Sequence, residues 1–277
     1  MTWKPLRSSA EEQAVLVAGV PPWLEMPLWV WIGRQLTTVD YRGQTGRNLP
    51  LVSEFDLVTR RVEPIVGRFQ KFGIAGIESV LDEDETIEFV DFLVFNSQSR
   101  EAGMQLDGLL TSAGSEWTVG ARDGYAGLEK RVPEGVRRAA DAAMSSAGHA
   151  GPLLSESWSS AFGVNPDYER AYSKAVKAVE AASIPVVMPT NRTATLGTVV
   201  GQMRADGDWG LELSREHPAD TSTRTVLAMA QTLWTGQNDR HAGQPGFTRS
   251  TRAEAEAAVL LAVPLVQWFT SGAIARR

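Results

Sequence analysis

The chain has 277 residues, with 27 Lys and Arg against 33 Asp and Glu for a formal net charge of -6, and is 43% hydrophobic and 22% charged. Those proportions belong to a globular protein large enough to bury a core without staples, in about two domains. There is no Cys, so disulfides, thiolate zinc sites, iron–sulfur clusters and cysteine nucleophiles are excluded. The three His, at 149, 217 and 241, are too far apart to form a helical His pair on a metal, and neither a metal nor a cofactor is expected.

The opening Met1-Thr2-Trp3-Lys4-Pro5 lacks the apolar region and small-residue cleavage site of a signal peptide, which points to the cytoplasm. Residues 1–150 hold 15 basic and 21 acidic side chains, residues 151–277 hold 12 of each, so the acidity lies in the first half. A broad phosphate-binding surface is not expected there, since counterion displacement needs Lys and Arg.

In chain order, Pro22 to Leu36 reads as an apolar helix carrying Trp23, Trp29 and Trp31. Thr86 to Phe95 reads as another, preceded by Asp82-Glu83-Asp84-Glu85, which complements a helix N-terminus. That acidic run fails as a calcium loop because Ile87 stands where the sharp turn needs Gly. The segment Arg42 to Arg47 reads as a plain loop. Glu116 to Gly120 alternates like a strand, Asp123-Gly124 signals a turn, and Gly127 to Val132 can return as its partner. The hairpin closes a mostly helical first domain, residues 1–131, and leaves 132–277 as the second.

Pro133 starts a helical run through Ala147, punctuated by Gly148, Gly151 and Pro152. Asn165-Pro166-Asp167 predicts an N-cap, a first-turn Pro and an early carboxylate. The following helix has a small inner face of Ala171, Tyr172, Ala175, Val176, Val179 and Ala182. Leu196, Val199, Val200 and Met203 repeat the spacing, as do Val226, Met229, Ala230, Leu233 and Trp234 after Asp220-Thr221-Ser222. Thr251-Arg252-Ala253-Glu254 is a capping-box sequence. The helix behind it, apolar nearly all round from Ala257 to Phe269, belongs in the centre of a bundle or in a dimer interface. Those 13 residues fall short of a membrane span, and Pro264 should bend the helix. The fold class is mainly α.

Nucleotide-loop, dinucleotide-binding, zinc-protease and serine-hydrolase signatures are absent. One polar cluster stands out, Gly236-Gln237-Asn238-Asp239-Arg240-His241-Ala242-Gly243. If the preceding helix runs one turn further, Gln237, Arg240 and His241 point inward. Arg beside His suits phosphodiester chemistry, the imidazole moving a proton near neutral pH and the guanidinium neutralising phosphate. The alternative is a capped helix C-terminus, where the same residues pair with the dipole.

Taken in order, Ala175 to Ala182, Ala194 to Val200, Leu233 to Gly243 and Glu254 to Phe269 resemble the C-terminal domain of abortive-infection family proteins, itself similar to the HEPN superfamily of helical nucleases and RNA-binding domains. The resemblance covers Asn165 to Ser271. The family has Arg then Asn after the Leu, followed by Asp-Gly-His-Gly. Here Leu233, Asp239 and His241 fit, while Trp234 takes the Arg place, Thr235 the Asn place, and Arg240 and Ala242 the Gly places.

The resemblance implies an HEPN-like bundle and a phage-defence effector that cleaves RNA without a metal. His241 would be acid or base, Arg240 would sit on the phosphate, and Asp239 or Asn238 would orient them. It equally admits a catalytically inactive module that dimerises, senses a partner or binds RNA, its chemistry lost with the missing Arg. Expected partners are RNA and a second copy joined through the C-terminal helices, with no membrane.

Overall fold

The computed structural model describes residues 15–97, 99–122, 124–237 and 248–277. The protein is mainly helical, with twelve helices and six short strands among these residues. The chain divides into two compact units, Met1–Arg131 and Val132–Arg277.

In the first unit, helix α1 (Pro22–Gln35) buries Leu24, Leu28, Trp31 and Ile32. A two-strand hairpin follows, β1 (Thr37–Val39) antiparallel to β2 (Thr45–Arg47), so residues 42–47 are part turn and part strand rather than plain loop. Arg47 is committed to structure, its guanidinium donating to the Phe69 carbonyl at 2.9 Å. Helices α2 (Leu49–Val58), α3 (Val66–Phe72), α4 (Ile74–Glu78), α5 (Glu83–Asn96) and α6 (Arg100–Ser112) complete the helical part.

Buried carboxylates organise it. Asp56 of α2 is 7% exposed and accepts the Ile65 and Val66 amides at 2.9 and 3.0 Å, satisfying donors at the start of α3. The acidic run caps α5 with a reciprocal box, Glu85 N donating to Asp82 and Asp82 N donating to Glu85. Two tryptophans serve as ties to α6 and the turn after it: Trp31 Nε1 donates to the Ala102 carbonyl and Trp23 Nε1 to that of Ala113.

The unit closes with the hairpin β3 (Trp117–Arg122) and β4 (Tyr125–Lys130), in antiparallel register from Trp117 opposite Lys130 to Arg122 opposite Tyr125. Asp91 of α5 accepts Leu128 N at 2.7 Å and pairs with Arg122 at 3.1 Å. Asp107 of α6 accepts Thr118 Oγ1 at 2.6 Å and Val119 N at 3.1 Å. The hairpin is thus clamped to two helices, to α5 through both strands and to α6 through β3.

The second unit contains helices α7 (Glu134–Ser146), α8 (Ala150–Phe162), α9 (Tyr168–Val187), α10 (Leu196–Asp206), α11 (Ser222–Thr235) and α12 (Arg252–Ser271). Gly151 and Pro152 do not punctuate but sit in the first turn of α8, where Pro lacks only an amide that would have no helical partner. The α9 cap is Asp167 rather than Asn165: its side chain accepts Arg170 N at 3.0 Å. Asp167 N donates back to the Ser160 carbonyl, holding residues 165–167 against the end of α8 before a helix can begin. A pair absent from the sequence reading, β5 (Trp209–Leu211) with β6 (Ile274–Arg276), fastens the C-terminal residues, aided by ion pairs of Arg276 to Asp208 and Arg277 to Glu216.

Helix α12 is the centre of this bundle, packing on α7, α8, α9 and α11. Its own unit covers most of its apolar surface: Val259, Ala262, Leu265 and Val266 are fully buried, and the exposed margin runs through Leu260 and Gln267. The helix continues through Pro264, and its 20 residues make it long and apolar enough to cross a membrane by length and composition. In the bundle that apolar character is spent on neighbouring helices. Leu265→Ala should therefore lower stability by about 2–5 kcal/mol, and Leu260→Ala by less than about 1 kcal/mol, in chemical denaturation. Equal losses at the two positions would contradict this placement of the helix.

Candidate functional site

The site indicated by the sequence lies between α11 and α12, and the structure describes both of its flanks. On the α11 side, Val226, Ala230 and Leu233 face the core, as their spacing predicts. The helix stops at Thr235, and Gly236 N donates to the Thr232 carbonyl at 3.1 Å. The helix does not continue through Gln237, as the inward placement of that residue by helical spacing would require. The hydroxyl of the buried α9 residue Tyr172 lies close over Gly236, where a Cβ would come within 2.3 Å of Oη. Gln237, just past the helix, is itself buried.

Trp234, at the Arg place of the family pattern, lies across the first turn of α10. A Cβ on Gly197 would come within 2.5 Å of its Cε2. The indole is a packing group seated on a glycine, and no guanidinium is presented from that position.

On the α12 side, Ser250 is buried and Thr251 and Glu254 form the predicted box, Thr251 N donating to Glu254 Oε2 at 2.7 Å and Glu254 N to Thr251 Oγ1 at 3.3 Å. These bonds to Thr251 favour the charged carboxylate and hold Glu254 below its ordinary value of 4.5. Asn238, Asp239, Arg240 and His241 lie outside the described residues.

Cations occur on both flanks. Arg204, on the last turn of α10, donates to Gln231 Oε1 at 3.1 Å, and Gln231 Nε2 donates to Thr235 Oγ1 at 2.7 Å, which links an exposed guanidinium to the final turn of α11. Arg249 is exposed two residues before the α12 box. Among the described residues neither has a carboxylate partner. The sequence reading missed Arg204, whose only local signal is a basic residue near a helix end.

The remaining histidines are apart from this region and from each other in the chain. His149 is exposed before α8, and His217 is exposed and bonded locally, its Nδ1 accepting Ala219 N and facing Asp220 at 3.3 Å. Among the described residues no group of three or more His, Asp and Glu could hold a metal ion.

No protein-family model, curated protein or solved structure matches the chain.

The capping box on the α12 flank carries a pH signature. Because the folded state lowers the Glu254 value, its contribution is present above the ordinary glutamate value and lost as pH falls through the lowered one. Glu254→Gln keeps an acceptor for Thr251 but removes the titration. Wild type should thus lose more of its thermal midpoint than the variant between about pH 5 and pH 3. Parallel curves would show that the box contributes no proton-linked stability.

Proposed function

We propose that the second unit is an RNA-directed effector of phage defence, of the abortive-infection type, which cleaves RNA without a metal in an HEPN-like bundle. The chemistry follows from two neighbouring residues. His241 takes the proton from a ribose 2'-hydroxyl, whose oxygen attacks the adjacent phosphorus, and the bond to the 5'-oxygen breaks as that oxygen regains a proton. Arg240 neutralises the charge that accumulates on the phosphate, and Asp239 and Asn238 orient the pair. The observation that carries this reading is the cationic, anchored setting of the segment: buried Gln237 and Ser250 near its two ends, with exposed Arg204 linked to one flank and exposed Arg249 on the other. Buried flanks fix where the segment begins and ends, which favours the positioning of a proton-transfer group.

Trp234 favours a second reading. With the indole packed on Gly197 in place of an arginine, the unit can act as a catalytically inactive module that binds RNA or a partner, or dimerises through its C-terminal helices. Purified protein should cut RNA in EDTA, with activity falling at least 100-fold in His241→Ala and Arg240→Ala while the helical signal persists, in line with about 10²–10⁴ for a positioned acid or base. Cleavage that requires magnesium or survives both substitutions rules out this mechanism. RNA binding without cleavage selects the second reading.

A further inference from the structure

The first unit contains a cavity of about 790 Å³ that the C-terminal chemistry does not use. Its size falls within the range of roughly 300–1,000 Å³ typical of small-molecule sites. Three segments build it: Phe95 and Asn96 at the end of α5, Arg100 to Asp107 on α6, and Val119 with Gly124 to Ala126 on the β3–β4 hairpin. The walls are fixed in advance, because the Asp91 and Asp107 clamps hold the hairpin to α5 and α6, the same helices that form the other walls.

The lining has a definite chemistry. Tyr125 stands 4.9 Å from Phe95 at 36° between ring planes and is 58% exposed, so it backs onto one ring and presents aromatic surface outward. The Arg122 guanidinium also lies 5.0 Å from Phe95, yet Asp91 already neutralises it. Met104 is exposed and adds a polarisable apolar flank. Arg100 is exposed and, among the described residues, has no carboxylate partner, leaving one uncompensated cation in the lining. Two acceptors remain. Among the described residues, Asn96 uses its amide nitrogen on the Phe92 carbonyl and keeps Oδ1, while Asp107 uses Oδ1 on the hairpin, with Arg131 3.9 Å from that same oxygen, and keeps Oδ2.

We propose that this cavity binds a nucleoside monophosphate whose base carries an exocyclic amino group, the base stacking on Tyr125, its amino hydrogens donating to Asn96 Oδ1 or Asp107 Oδ2, and the phosphate pairing with Arg100. The one free cation that the lining offers among the described residues matches one phosphate group and not a polyphosphate chain. Asp107 Oδ2 is an acceptor that a purely apolar ligand would leave unused. The inference stands on the first unit alone and does not depend on RNA cleavage by the second.

Calorimetric titration of the full chain with AMP, adenosine, ribose 5-phosphate and UMP tests it. AMP should bind tightest, with adenosine and ribose 5-phosphate each at least tenfold weaker for lack of the phosphate or the base, and UMP weaker for lack of the amino group. Tyr125→Ala should weaken AMP by at least tenfold and Tyr125→Phe should restore it; both alter an exposed side chain and leave the core intact. Arg100→Ala should weaken AMP by at least fivefold and leave adenosine unchanged. The proposal is overturned if AMP gives no binding at millimolar concentration, if Tyr125→Ala binds it like wild type, or if Arg100→Ala affects AMP and adenosine alike.

Discussion

The second unit depends on how closely α9 and α12 can approach. Each has 20 residues, and their inner faces are built largely from alanine: Ala171, Ala175, Ala178 and Ala182 on one, Ala255, Ala258 and Ala262 on the other, all buried. Short side chains bring backbones together and leave no room for water between them, so dispersion contacts are dense although each is small. The larger residues fill the flanks, with Trp158 and Phe162 of α8 and Leu196 and Met203 of α10 in the same core. A side-chain bond ties α8 to α9, where buried Ser157 Oγ donates to the Ala171 carbonyl at 2.7 Å. Once α12 is held at the centre, the start of that helix and its capping box are fixed in the bundle. So is one end of the polar segment that precedes it.

The two ends of that segment are held by different means. Before it, α11 ends beside the Tyr172 hydroxyl, which lies close over Gly236, and Gln237 is buried immediately afterwards. After it, Ser250 is buried and Thr251 reciprocates with Glu254. Thr251 to Glu254 belongs to a sequence pattern, whereas the Tyr172–Gly236 approach joins positions 64 residues apart and has no local signature. The same contrast runs through the fold. Helices with regular apolar spacing and a cap, such as α10 behind Thr195 and α11 behind Thr221, are legible because period and cap act within a few residues. The hairpin around Trp117 is legible from alternation and Asp123-Gly124. The β5–β6 pair is not, because three-residue strands more than 60 residues apart carry almost no periodicity. The α9 cap was misplaced because Asn165-Pro166 satisfies the local rule, while a tertiary bond from Asp167 N to Ser160 delays the helix.

Candidate sites show the same limit. Arg240 and His241 attract notice because they are adjacent in sequence. The link of Arg204 to the end of α11 in the second unit and, separately, the walls of the cavity in the first unit are made by folding, and no single stretch announces either. An extra helical turn that would aim Arg240 and His241 inward follows from spacing alone, whereas the helix ends at Thr235. Trp234 illustrates a different point: where the sequence resemblance asks for a charge, the chain has an indole packed against Gly197.

The most direct measurement of the central claim is the chemistry of RNA ends in cells expressing wild type or His241→Ala. Attack by a 2'-hydroxyl leaves a 2',3'-cyclic phosphate on one fragment and a 5'-hydroxyl on the other. The account predicts that these ends accumulate with wild type and not with the variant. Ends bearing 5'-phosphate and 3'-hydroxyl, or equal accumulation in both strains, would contradict it.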